Sequence, residues 1–201
     1  MGTRSRIFWL GLLGTVFFWW WSGRPISHPP GVLVPGEPWQ STEQLDKRAI
    51  TLGNWSLVPL ARYDIEARVL SKSRYRLNEA AQLAPWDFAL GWGVMSDSAI
   101  LDELSITQES RWFFWRTSGE LPAPVDEMQN HSANVHIIPS NENVRDQLDS
   151  VRTGQIVRLI GNLVEATSSG SGGRWRSSLS RSDTGAGACE VMYVQSCVTR
   201  D

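Results

Sequence analysis

The sequence predicts an α+β chain, a hydrophobic N-terminal helix followed by a small antiparallel β domain with short connecting helices. Three observations predict it. Ile7 to Ser22 reads IFWLGLLGTVFFWWWS and carries no charge. Ala61 to Leu70 alternates apolar Tyr63, Ile65, Ala67 and Val69 with charged Arg62, Asp64, Glu66 and Arg68. That is the period of a half-buried strand. Asn141 to Ser150 begins on a capping Asn, carries Glu142 in its first turn, and places Val144 and Leu148 at i, i+4, as a capped amphipathic helix does.

Residues 7–22 span roughly 24 Å as a helix, against a hydrocarbon core of about 30 Å. The three consecutive tryptophans at its end suit the interfacial layer. Arg4 and Arg6 precede the run, and no acid comes before Glu37. The expected topology is therefore single-pass, with a cytoplasmic N-terminus and a translocated C-terminal domain. A cleaved signal peptide is the alternative, but WWWSGRPISHPPG offers no small-x-small site. The expected organisation is an anchor over 1–23, a Pro-rich linker over 24–40 and an exported globular domain over 41–201. Five prolines between Arg24 and Pro38 rule out a regular helix there and suggest an extended spacer. No chemistry is assigned to His28.

Within the domain, Ser41 to Ile50 is expected as a short helix and Leu77 to Leu83 as another, ending before Pro85. Pro85, Gly91 and Gly93 interrupt the next stretch, which reads as an irregular aromatic segment. Ser96 would cap a short helix from Asp97 to Leu104. Arg111 to Arg116 and Val135 to Ile138 read as strands. A turn at Val151 to Gly154 leads into a strand from Gln155 to Glu165, where Gly161 signals a bulge or bend. Thr167 to Gly173 is a flexible loop by composition. Trp175 to Leu179 and Glu190 to Val194 are the last strands, separated by a Gly-rich turn.

Charge narrows the functional classes. Of 19 basic residues, two precede the anchor, leaving 17 against 21 acidic ones beyond it. A sequence-independent nucleic-acid binder needs a basic footprint, so this balance argues against one. No Cys/His spacing suits zinc, and no cofactor or metal is expected.

Cys189 follows a Gly-rich turn, and His131 and His136 could each serve it as a base, with Asp183 as a further candidate. The competing assignment makes Cys189 the start of a buried strand and His136 a strand-face residue. DTGAG from Asp183 to Gly187 contains the D-T-G of aspartic proteases, but no second copy exists to share a proton. Cys189 and Cys197, the only cysteines, could pair in an oxidising compartment if the chain folds back after Val194. Trp86, Trp92, Arg111, Trp112, Trp115 and Arg116 are candidates for a ligand or partner surface, with core packing as the alternative for the aromatics.

The stretch V-R-T-G-Q-I-V-R-L-I-G-N-L-V, Val151 to Val164, resembles a strand of an OB-type barrel, its second glycine allowing the bend. Pro85–Asp97, Asn130–Asn141 and Ser177–Val194, together with the WWWSGRP anchor, resemble a family of uncharacterised bacterial membrane-anchored exported proteins. That resemblance implies bacterial origin, and so an inner-membrane anchor with a periplasmic exported domain, and no known activity. The leading expectation is a non-catalytic periplasmic binding or assembly module whose partner is an envelope protein or ligand. The first alternative is an exported cysteine hydrolase or transferase using Cys189 with His136 or His131. The second is a single-stranded nucleic-acid-binding OB-like domain, with Arg111, Trp112, Trp115 and Arg116 as its groove. The topology is tested by fusing a reporter active only in the periplasm after Asp201. It should be active, and releasing the full-length protein should require detergent.

Overall fold

The computed structural model describes residues 23–180, 183 and 187–201. The predicted anchor therefore lies outside the described residues, apart from its last residue. Among the described residues no helix is long and apolar enough to cross a membrane.

The regular structure of the described residues is mostly β sheet. Its strands are β1 (Trp39–Ser41), β2 (Ile50–Leu52), β3 (Trp55–Arg74), β4 (Trp86–Gly91), β5 (Ser105–Glu109), β6 (Trp112–Arg116), β7 (Ser132–Pro139), β8 (Ile156–Ser168), β9 (Arg174–Arg176) and β10 (Glu190–Arg200). The helices are short: α1 (Glu79–Leu83), α2 (Ser98–Leu101), α3 (Val125–Asn130) and α4 (Glu142–Ser150), with a 3-10 turn at Gly93–Ser96. This is consistent with the α+β expectation.

The main sheet pairs β3 with β4, β4 with β7, β7 with β10 and β10 with β8, while β8 also pairs with β3. The pairings thus return to their starting strand. Only β7 and β10 run parallel in this circuit. The length of β3 makes the circuit possible. Its first part, from Trp55 to Arg68, pairs with β8, and its last part, from Arg68 to Arg74, pairs with β4. Inside the circuit lie Tyr63, Ile65, Trp86, Phe88, Leu90, Val135, Ile137, Leu159, Leu163 and Met192. A second apolar cluster gathers Trp55, Leu57, Leu83, Ile138 and Val164. The hairpin of β5 and β6 stands apart from the main sheet. It covers a third cluster, around Leu70, Ala89, Met95 and Met128, with Ile106, Phe113 and Trp115.

The alternation in β3 has its expected consequence. Its outer carboxylates meet arginines on neighbouring strands, Asp64 with Arg158 and Glu66 with Arg200. Arg68 is an exception: it is buried and donates to Ser96 O and Ser98 Oγ. Asn141 caps α4 by accepting the Val144 N–H at 3.0 Å. At the other end of that helix, Lys72 Nζ donates to Leu148, Asp149 and Val151 carbonyls within 3.0 Å. These are the carbonyls a helix leaves without internal partners.

Several expectations are corrected. Ser41 to Ile50 is not a helix; Trp39–Ser41 and Ile50–Leu52 pair with β3 instead, and Arg48 folds back on Asp46. The aromatic segment after Pro85 is β4, a regular strand buried on both faces. A strand buried on both faces loses its polar alternation, so its period cannot be read. Trp86 and Trp92 are enclosed in the core, as the packing alternative has it. Asp97, not Ser96, caps α2; Ser96 Oγ instead accepts the Leu33 and Val34 N–H groups. The turn of Val151 to Gly154 joins α4 to β8. The strand from Trp175 shrinks to Arg174–Arg176, and that from Glu190 runs on to Arg200.

The Pro-rich segment is not a free spacer. Ile26 N donates to Thr153 O, His28 Nε2 to Gly154 O, and Gly31 N to Asp97 Oδ1. Gly93 N donates to Val34 O, and Val34 is buried. Residues 26–34 are strapped along the domain. Gly154 permits this contact: a Cβ there would stand 2.0 Å from Ile26 O.

Gly161 in β8 has the same cause for its identity. A Cβ there would lie 2.0 Å from Tyr193 O, opposite the register shift between Val194 and Ser196 of β10. Gly161→Ala should therefore force the two strands apart and lower unfolding stability by about 1–3 kcal/mol, measured by urea denaturation.

Candidate functional site

The outer face of β4 and β7 carries a cluster of polar groups. In the antiparallel register Asp87 stands directly opposite His136, and Ala89 opposite Asn134. The alternate residues Trp86, Phe88, Val135 and Ile137 face the core. A strand period of two thus turns Asp87 and His136 out together. On the other side of β7, parallel β10 pairs Glu190 with Val135 and Val191 with His136. Cys189, immediately before β10, is thereby delivered beside Asn134, whose Nδ2 donates to Cys189 Sγ at 3.5 Å.

Asp87 organises the cluster. Its Oδ1 lies 2.8 Å from His136 Nδ1 and 2.8 Å from Arg111 Nη1. Asp87 is fully enclosed, and His136 nearly so. Arg111 also donates to Ala84 O at 2.9 Å, and its guanidinium lies 3.9 Å from the centre of the Tyr75 ring. The Arg111 N–H donates to the Tyr75 hydroxyl at 3.1 Å. Burial, and then the Asp87 charge, push the tyrosine pKa upward. Gln108 Nε2 donates to Asn134 Oδ1, and Asn134 Nδ2 also donates to Arg111 O. The imidazole of His136 stacks on Trp175 of β9, centroids 5.0 Å apart and planes 13° from parallel.

Arg111 reaches the carboxylate because of its turn. Ser110 and Arg111 form the two-residue link between β5 and β6, with φ of 51° and 70°. Such a turn ordinarily takes Asn-Gly. Two side chains in the left-handed region cost roughly 1 kcal/mol or more apiece. The guanidinium contacts oppose that cost, and strain of this kind concentrates at functional sites.

The electrostatics of His136 follow from these neighbours. Burial pushes its pKa down, but hydrogen bonds to Asp87 and Cys189, reinforced by their charges, outweigh burial. The pKa rises from 6.5 to about 9. The proton is therefore held at neutral pH. Imidazole, carboxylate and thiol together have the composition of a nucleophile, a base and a group that orients the base.

Of the residues singled out by sequence, Cys189, His136 and Arg111 come together. His131 does not join them. It ends α3, and its carbonyl accepts the Trp92 N–H. Asp183 binds Ser178 Oγ at 2.6 Å and helps shape the loop before Cys189; Thr184 to Ala186 of the D-T-G stretch lie outside the described residues. Trp112 is partly exposed, Trp115 packs under the hairpin and Arg116 points to solvent, so with Arg111 bound to Asp87 these four do not form one groove. Cys189 and Cys197 are both free thiols. Strand β10 runs through Val194 without turning back, which separates them along an extended segment. Among the described residues no group of three or more His, Cys, Asp or Glu is placed to hold a metal ion.

Sequence reasoning missed Asp87, Gln108, Asn134 and Trp175. Asp87 had one visible signal: it is the only charged residue between Glu79 and Asp97. No family model, curated protein or solved structure matches the chain.

Since the folded pKa of His136 exceeds its unfolded value, its contribution to stability is complete below about pH 6.5 and disappears as pH rises through about 9. Lys72 works the other way. Burial lowers its pKa to about 8, so its destabilising effect fades above that pH. The difference in unfolding stability between wild type and His136→Gln isolates the histidine. That difference should shrink by up to about 3 kcal/mol between pH 6.5 and 9, followed by denaturant melts across that range.

Proposed function

We propose that the chain is a membrane-anchored, exported hydrolase or acyltransferase with Cys189 as nucleophile, His136 as base and acid, and Asp87 as the group that orients His136. The observation that carries this reading is the Asp87–His136 pair at 2.8 Å, with Cys189 lining the same cavity as the ring. A solvated strand face has no need of a fully enclosed carboxylate aligned on an imidazole.

In this reading His136 already holds the Cys189 proton when the sulfur attacks the carbonyl carbon of an acyl donor. The carbon–leaving-group bond breaks, and His136 returns the proton to the departing amine or alcohol. Water or a second acceptor then attacks the thioester, with His136 taking its proton, and releases Cys189. Asp87 keeps the imidazolium in place throughout. Asn134 Nδ2, already on the sulfur, lies beside the reacting carbon and is the candidate donor to the developing oxyanion.

Two further elements complete the proposal. The anchor is residues 7–22, which puts the domain in the periplasm. The five strands β3, β4, β7, β10 and β8, with β7 parallel to β10 and α4 between β7 and β8, are read as a small OB-like barrel; their circular pairing supports this.

A binding module without catalysis is the second reading. It is favoured by one observation, the exposure of Trp112 and Phe114 on the outer side of β6.

The two readings separate on acylation. Wild-type protein mixed with an activated ester such as p-nitrophenyl acetate should gain one acetyl group on Cys189, seen by peptide mass mapping. Cys189→Ser should gain none there, and His136→Gln should acylate about 10²–10⁴-fold more slowly. If wild-type Cys189 acylates no faster than glutathione, the binding module replaces the enzyme.

A further inference from the structure

The reading of Cys189 as nucleophile leaves open what kind of acyl group it meets, and the walls around it bear on that. Cys189 stands between two cavities. One, of about 360 Å³, is lined by Arg111, Arg176, His136, Trp112, Trp175 and Cys189. The other, of about 290 Å³, is lined by Phe113, Trp115, Asn134 and Asp183 among others.

Every charged side chain lining the first cavity is basic. Two carboxylates stand behind them, and each is shared by two cations. Asp87 Oδ1 serves both Arg111 and His136. Glu165 Oε2 serves both Arg174, at 2.9 Å, and Arg176, at 2.6 Å. Four cations against two carboxylates leave a positive surplus when His136 is protonated, as it is at neutral pH. On the other side, Asp183 lines the second cavity, and Asp183 and Glu190 line a separate small cavity with Trp92.

The two arginines differ in role. Arg111 is held by Asp87, Ala84 O and the Tyr75 ring, and its Nη2 has no protein acceptor among the described residues. Arg176 is more than half exposed. An exposed ion pair holds its partner weakly, so its remaining N–H donors can turn toward a ligand without first breaking a buried contact. A guanidinium recognises carboxylate and phosphate by paired, charge-assisted hydrogen bonds. Trp112 and Trp175 supply flat aromatic wall to the same cavity.

We propose that the cavity beside Cys189 selects acyl substrates carrying an anionic group, carboxylate or phosphate, held by Arg176 and the positive field of Arg111 and His136, with the uncharged remainder in the second cavity. This inference rests on Cys189 being the nucleophile.

The test compares two alkylating reagents of nearly equal size on the full-length protein, neutral iodoacetamide and anionic iodoacetate, with labelling of Cys189 followed by peptide mass mapping. The iodoacetate-to-iodoacetamide rate ratio at Cys189 should exceed that of glutathione by about tenfold. Arg176→Gln, at an exposed position on the edge strand, should lower that ratio several-fold, with circular dichroism checking its fold. Malonate or inorganic phosphate should protect Cys189 from iodoacetamide, and whichever protects at lower concentration identifies the anion; protection by neither counts against the proposal. Fast iodoacetamide labelling with a glutathione-like ratio overturns the anionic substrate alone. Labelling no faster than glutathione with both reagents overturns the nucleophile and this inference with it. A raised ratio that survives Arg176→Gln unchanged removes the assignment to Arg176.

Discussion

A carboxylate taken fully out of water must be paired or it will not remain charged, and Asp87 meets that condition through one oxygen. Its Oδ1 holds both the imidazole opposite it and the guanidinium arriving from the β5–β6 turn. Much of the outer half of the domain can be understood as the means of keeping those two cations in place. The hairpin stands off the main sheet, yet its turn accepts an unfavourable backbone at Ser110 and Arg111 to deliver one side chain. Gln108 and Asn134 tie that turn to β7. The short edge strand β9 lays Trp175 flat on the imidazole. Removing one partner of a buried ion pair is costly because the other is left charged and enclosed, so these elements are coupled through a single group.

The sheet contributes by register rather than by shape. An antiparallel pairing sets Asp87 against His136, and a parallel one sets the start of β10 against Asn134. A slip of one residue in either pairing would turn the polar groups into the core and the tryptophan and phenylalanine outward. The apolar side chains of β4 and β7, wholly enclosed, oppose such a slip. The packing of Trp86, Phe88, Val135 and Ile137 on one face therefore fixes the geometry of the polar face.

How much of this could be read in the sequence differs by element. The alternation from Ala61 to Leu70 was readable because one face of β3 meets water, and the Asn cap and i, i+4 pair of α4 were readable because they are local. The strand at Trp86–Gly91 was not, since burial on both faces removes the polar half of the pattern. With that strand hidden, Asp87 had no place, and its partner lies 49 residues away. Cys189 and His136 could be named as candidates from residue type. Asp183 was named with them from residue type alone, and it is Asp87, brought in by the pairing of β4 with β7, that meets His136. The prolines of the N-terminal segment correctly excluded a helix. That the segment would lie against the domain depended on Gly154, Asp97 and Ser96, three distant residues that offer it hydrogen-bond partners.

That strapped segment has a mechanical consequence. Tension applied to the chain before Arg24 is not absorbed by fifteen slack residues. It passes first into the Ile26–Thr153 and His28–Gly154 bonds and so into the beginning of β8. Cys189 sits near the other end of that strand, close to the level of Ala166 by the pairing of Met192 with Leu163. Some ten residues of strand, about 30 Å at ~3.3 Å per residue, separate the mooring from the thiol. The cavity is thus carried on a stiff strand, and its distance from Ile26 and His28 is set by β8 rather than by the statistics of a loose tether.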